Sequence, residues 1–142
     1  MTGQKILIVD DEEDILDFVS YNLKKEGYKT YIASNGREAI QLAKEHIPQL
    51  IILDIMMPEM DGIETCRELR SISLLNNTII TFFTARNEDY SLVAGLDAGA
   101  DDYIAKPIKP KVLISKVSAL LRRSIESRPA LSVYSVGKLT IN

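Results

Sequence analysis

Cysteine occurs once in the 142 residues, as Cys66, and histidine once, as His46. A single thiol excludes an internal disulfide, and His46 has no second His, Cys or Asp at ligand spacing. Cys66 therefore reads as a reduced thiol on a helix face, and His46 as a surface residue at a helix end. No apolar run approaches the roughly 18 residues that a membrane-crossing helix needs. The opening MTGQK also lacks the apolar core of a signal peptide. These absences point to the cytoplasm and to no membrane partner. Basic residues are scarce in the body of the chain: residues 1–105 hold 9 Lys/Arg against 19 Asp/Glu, whereas 106–142 hold 8 against 1. An acidic body is a poor nucleic-acid binder by itself, because affinity for phosphate backbones rests on Lys and Arg.

What is present fits one compact domain with a tail: 46% of residues are hydrophobic and 26% charged. Ile6–Val9, Leu50–Leu53 and Ile79–Phe83 are short continuous apolar runs, the pattern of strands buried on both faces of a parallel sheet. Tyr28–Ala33 and Asp102–Ala105 are weaker strand candidates. Between them the apolar residues take helical spacing, as in Ile15, Phe18, Val19 and Leu23, or Ile63, Cys66 and Leu69. The second such stretch holds Ala39, Ile40 and Ala43, the fourth Leu92, Val93 and Leu96, and the fifth Val112, Leu113, Lys116, Val117 and Leu120. Five strand–helix units imply a doubly wound α/β fold, a five-stranded parallel sheet with helices on both faces. Ligands of such sheets gather at the carboxyl ends of the strands. The residues at those ends are Asp10 and Asp11, Asp54, Thr84 and Lys106.

Five acidic residues, Asp10 to Asp14, follow directly on the first apolar run. Crowded carboxylates resist joint ionisation unless a positive group sits among them. Glu12, Glu13 and Asp14 suit a solvated helix N-terminus. Asp10 and Asp11 emerge straight from a buried strand and read as metal ligands. Oxygen donors without His or Cys suit Mg²⁺, which shares its octahedral shell with waters and a phosphate. Asp54 is then either a third ligand or a nucleophile for a phosphoryl group, and one carboxylate can do both. Lys106 supplies charge and Thr84 a hydroxyl donor, which phosphoryl transfer requires. Taken alone, Thr84 could be a helix cap, Tyr103 a half-buried strand aromatic, and Met56 and Met57 packing residues.

The motifs "VDDE", "LDIMMPEMDG", "TFFTA" and "DDYIAKP", in that order, resemble those of response-regulator receiver domains of the OmpR/PhoB type. The resemblance covers about residues 3–124. It implies a flavodoxin-like sheet of order 2-1-3-4-5 and a two-component signalling function. Asp54 would be the phosphoacceptor, served by a sensor histidine kinase. Asp10, Asp11, Asp54 and the Met56 carbonyl would hold Mg²⁺. Thr84 and Lys106 would bind the phosphoryl oxygens, Tyr103 would turn inward on activation, Pro58 and Gly62 would shape the acceptor loop, and Lys106–Pro107 would be cis. Such a domain is not an enzyme beyond catalysing its own phosphorylation and dephosphorylation.

Three rival functions fit less well. A flavin-binding protein of this fold needs a Ser/Thr/Gly-rich phosphate loop where this chain has Asp-Asp-Glu-Glu-Asp. A haloacid dehalogenase-type phosphatase carries an acid two residues after its nucleophile, where this chain has Met56. A receiver-like module that only binds a partner usually lacks an acid, the Thr or the Lys. Beyond the expected receiver domain, 1–124, residues 125–142 read as a linker and the start of a winged-helix DNA-binding domain, through which alone DNA would be bound. The resemblance further implies a homodimer when phosphorylated, through the fourth helical stretch, fifth strand and fifth helical stretch. Asp97, Asp101, Asp102, Lys111, Lys116 and Arg123 would supply ion pairs. Leu92 and Ala94 stand where basic residues are usual, which leaves Asp97 short of a mate and shifts weight to Leu92, Val93 and Leu113.

Overall fold

The computed structural model describes residues 3–85 and 96–127. Arg86, Leu92, Val93, Ala94 and the tail after Ser127 lie outside the described residues. Five strands, β1 (Lys5–Val9), β2 (Lys29–Ala33), β3 (Leu50–Leu53), β4 (Ile79–Ala85) and β5 (Asp102–Lys106), form one parallel sheet of order β2-β1-β3-β4-β5. Helices α1 (Glu13–Lys25), α2 (Gly36–His46) and α3 (Gly62–Arg70) follow β1, β2 and β3 in turn, and α4 (Pro110–Ser127) follows β5; the helical stretch expected around Leu92, Val93 and Leu96 falls largely outside the described residues. Among the described residues no helix is long and apolar enough to cross a membrane.

Side chains alternate across a strand, so each continuous apolar run feeds two cores at once. Ile6, Ile8, Leu50, Ile52, Ile79, Phe83 and Ile104 pack under α1 and α4, meeting Val19, Leu23, Val117 and Leu120. Leu7, Val9, Ile51, Leu53, Ile80 and Phe82 pack on the other face against Ala39 and Ala43 of α2 and Cys66 and Leu69 of α3. The lone cysteine is thus a core residue, as its helical spacing suggests.

Helix starts follow from local chemistry. Asn35 caps α2 by accepting the Glu38 N–H at 2.9 Å, while Glu38 reaches back to the Ser34 N–H at 2.8 Å. Asp61 caps α3 through the Glu64 N–H at 2.8 Å.

Two boundaries and one orientation differ from the sequence-based expectation. β4 runs on to Ala85, because Thr84 and Ala85 pair with Ala105 and Lys106 of β5. Thr84 is therefore inside a strand and caps no helix. α4 continues to Ser127, past the linker start expected near Ser124. Residues 124–127 contain no breaker, and the first proline is Pro129. Leu113, expected on a dimer surface, is 0% exposed within the core. It shares the inward stripe of α4 with Val117 and Leu120, and the exposed apolar neighbour is Val112 at 49%.

Candidate functional site

The carboxyl ends of four strands meet at one rim. The Asp10 N–H donates to the Ala33 carbonyl at 3.1 Å, and the Asp54 N–H donates to the Val9 carbonyl at 2.9 Å. These ladder bonds extend the sheet by one step beyond β1 and β3 and set the two aspartates side by side. Even-numbered positions of these two strands point toward α1 and α4, as do Ile104 and therefore Lys106 of β5. Asp10, Asp54 and Lys106 thus converge from one side. Thr84 shares its parity with Phe82, and Tyr103 belongs to the same opposite face.

Asp10 and Asp54 are buried, at 1% and 4% exposure, while Asp11 is exposed. One carboxylate oxygen from each of the three lies within 4.8 Å of the others. The Lys106 ammonium sits 2.8 Å from Asp10 Oδ2 and 3.7 Å from Asp54 Oδ1. It also lies 5.4 Å from the centroid of the Phe83 ring, a cation–π contact. The other Asp10 oxygen accepts the Glu12 N–H at 2.9 Å, a bond that the sequence did not reveal.

Burial, reinforced by the Asp10 charge, pushes the Asp54 carboxyl up to about 7, against the pull of Lys106 and of a backbone hydrogen bond from Met56. Burial works in the opposite sense on Lys106, but its hydrogen bond to Asp10 and the charges of Asp54, Asp10 and Glu12 hold the ammonium above the usual lysine value.

Three carboxylates therefore face one cation. That surplus of hard, anionic oxygen fits a divalent ion such as Mg²⁺, which would relieve the repulsion that raises Asp54. Met56 adjoins this cluster through its backbone, its side chain 63% exposed.

The loop after Asp54 is folded tightly onto the start of α3. The Gly62 N–H donates to the Ile55 carbonyl at 2.8 Å, and a Cβ on Gly62 would stand 2.0 Å from the Asp54 carbonyl oxygen. Only glycine permits that approach. Pro58 is exposed in the same loop, and the Lys106–Pro107 bond is cis.

The residues expected on a dimer face are dispersed among other tasks. Asp101 is held by Arg70 of α3, whose Nη2 lies 2.6 Å from Asp101 Oδ2, and by the Ile80 N–H at 2.9 Å. Arg70 also donates to the carbonyls of Gly99 at 2.8 Å and Leu75 at 3.1 Å. Nothing in the local pattern signals this clamp, whose two charged residues are 31 positions apart. Asp102 pairs with Arg123 of α4 at 3.4 Å. Asp97 and Lys111 are exposed, and Lys116 is half-buried.

Comparison with known proteins bears on the fold and the family. The chain is 45% identical over 128 residues to the alkaline phosphatase synthesis transcriptional regulatory protein PhoP of Bacillus subtilis, covering 90% of this chain and 52% of that protein. It thus spans about half the length of that curated relative. The chemotaxis protein CheY4 of Vibrio cholerae superposes with a TM-score of 0.80 at 31% identity, covering 84% of this chain and 99% of that one. A CheY-like response regulator receiver domain protein from Methanospirillum hungatei gives 0.82 at 31%, covering 88% and 98%. The family model described as "Response regulator receiver domain" matches residues 6–118, most of the chain and all of the rim residues above, so the chain belongs to the response regulator receiver domain family.

Proposed function

We propose that Asp54 accepts a phosphoryl group from the phosphohistidine of a sensor histidine kinase, with Mg²⁺ held by Asp10, Asp11, Asp54 and the Met56 carbonyl. The observation that carries this is the burial of Asp54 at the strand rim, with the Lys106 ammonium 3.7 Å from its Oδ1. In the transfer an Asp54 oxygen bonds to phosphorus, the phosphorus–nitrogen bond breaks, and the departing imidazole nitrogen takes up a proton. Lys106 neutralises charge on the transferring oxygens, and the Thr84 hydroxyl, reaching over the rim from the opposite side of the neighbouring strand, donates a hydrogen bond to one of them. Bound Mg²⁺ supplies the remaining positive charge. Apart from this transfer and the hydrolysis of the resulting aspartyl phosphate to Asp54 and inorganic phosphate, the chain acts as a switch rather than an enzyme.

Thr84 and Tyr103, on the same face of adjacent strands, carry the change outward. The modified form pairs through the helical stretch expected between β4 and β5, β5 itself and α4, a surface that includes Asp97, Asp101, Asp102, Lys111, Lys116 and Arg123, without Leu113. Residues 125–142 lead into a DNA-binding domain that controls transcription in the cytoplasm. Incubation with acetyl phosphate and Mg²⁺ tests the chemistry by mass spectrometry. Wild type gains about 80 Da, the mass of HPO₃, and Asp54→Ala does not; an equal gain in the variant removes Asp54 as the acceptor.

A further inference from the structure

α2 and α3 lie side by side on one face of the sheet and run in the same direction, because each crosses over between parallel strands. Between them is an open groove of about 510 Å³. Ile40 and Met60, both half-buried, form its floor. Arg37 and Lys44 stand on the α2 wall, and Glu64 and Glu68 on the α3 wall. All four are exposed, and none of them is in an ion pair among the described residues. Each wall is a stripe of one sign at helical spacing, so one side of the groove is basic and the other acidic.

A face with that pattern is complementary to itself. We propose that a second copy of the chain docks here, about a two-fold axis that runs along the groove. Such an axis lays α2 against α3 of the other copy in parallel. Both helices begin at the carboxyl rim of the sheet, Arg37 one residue into α2 and Glu64 two residues into α3. Gly36 at the start of α2 stands beside the Thr65 side chain of α3, so Arg37 of one copy comes level with the stretch between Glu64 and Glu68 of the other, and Lys44 lies about two turns further along, above Glu68. Each pair occurs twice. An axis across the groove would instead set α2 on α2 and oppose like charges. The two pairs of Ile40 and Met60 are covered in the middle.

Exposed ion pairs are individually weak, so the association is concentration-dependent and falls with salt. It needs no phosphoryl group and does not depend on the chemistry assigned to Asp54.

Sedimentation velocity of the full chain in EDTA, without any phosphoryl donor or analogue, tests this. At about 0.3 mM protein and low salt the wild type sediments toward the dimer, and it returns to the monomer at high salt. The acidic double variant (Arg37→Glu with Lys44→Glu) and the basic double variant (Glu64→Lys with Glu68→Lys) are each monomeric alone. Mixed in equal amounts they form the dimer again, because every facing pair is then opposite in sign. That recovery also shows that both variants are folded. A wild type that stays monomeric at every concentration, or a mixture that stays monomeric, overturns the proposal and leaves the groove to a partner of another kind.

Discussion

Asp54 shows how strongly one residue's ionisation depends on its neighbours. Its carboxyl, pushed up to about 7 by burial and by Asp10, binds a proton in the folded protein at a pH where the unfolded chain has lost it. A raised carboxyl pKa means that stability rises as the pH falls through the folded value, until the unfolded chain also protonates near 4. Asp54→Asn removes the charge at every pH. In metal-free protein the variant should therefore have the higher Tm at about pH 8, and the difference should shrink toward about pH 5. Equal offsets at both pH values would show that Asp54 is not the titrating group. Mg²⁺ affinity should fall over the same interval, because the ion competes with that proton; titration calorimetry at two pH values measures it.

α3 carries a constraint at each end that its own composition does not announce. α3 begins at Gly62 because the Asp54 carbonyl occupies the space where a side chain would be. Gly62→Ala must move either the helix start or the acceptor loop, at a cost of about 2 kcal/mol or more. Urea unfolding measures that cost, and acetyl phosphate labelling should slow in the same variant. A variant as stable and as reactive as wild type would show that the loop yields freely. At its other end α3 supplies Arg70, which ties the start of β5 and the turn before β4 to the helix through Asp101, Gly99 and Leu75. Arg70→Ala leaves a carboxylate and two carbonyls short of a donor and should destabilise by about 1–3 kcal/mol. Arg70→Lys, with a single ammonium in place of the planar fork, should recover only part of it. Full recovery by lysine would reduce the clamp to a simple charge pair.

For the molecule as a whole, Cys66 reports on cooperativity. Burial pushes its thiol up to about 11, and its Sγ lies 3.7 Å from the Ala98 carbonyl, inside the core that α2 and α3 form with the sheet. A protonated, enclosed thiol does not react, so labelling by a thiol reagent at neutral pH should occur only through opening of that core. Its rate should rise with urea in parallel with unfolding; rapid labelling of the native protein would show local opening over α3. The strand–helix alternation, the acids after β1 and the positions of Asp54, Thr84 and Lys106 were determined by the sequence itself, because apolar runs, helical spacing and cap residues act over a few neighbours. What only the tertiary structure decided joins distant positions. Lys106 meets Asp10 across 96 residues, Arg70 finds Asp101, and Leu113 turns inward while Val112 faces solvent. Such contacts depend on how faces pack rather than on local pattern, and they set both the charge of Asp54 and the surfaces left open to partners.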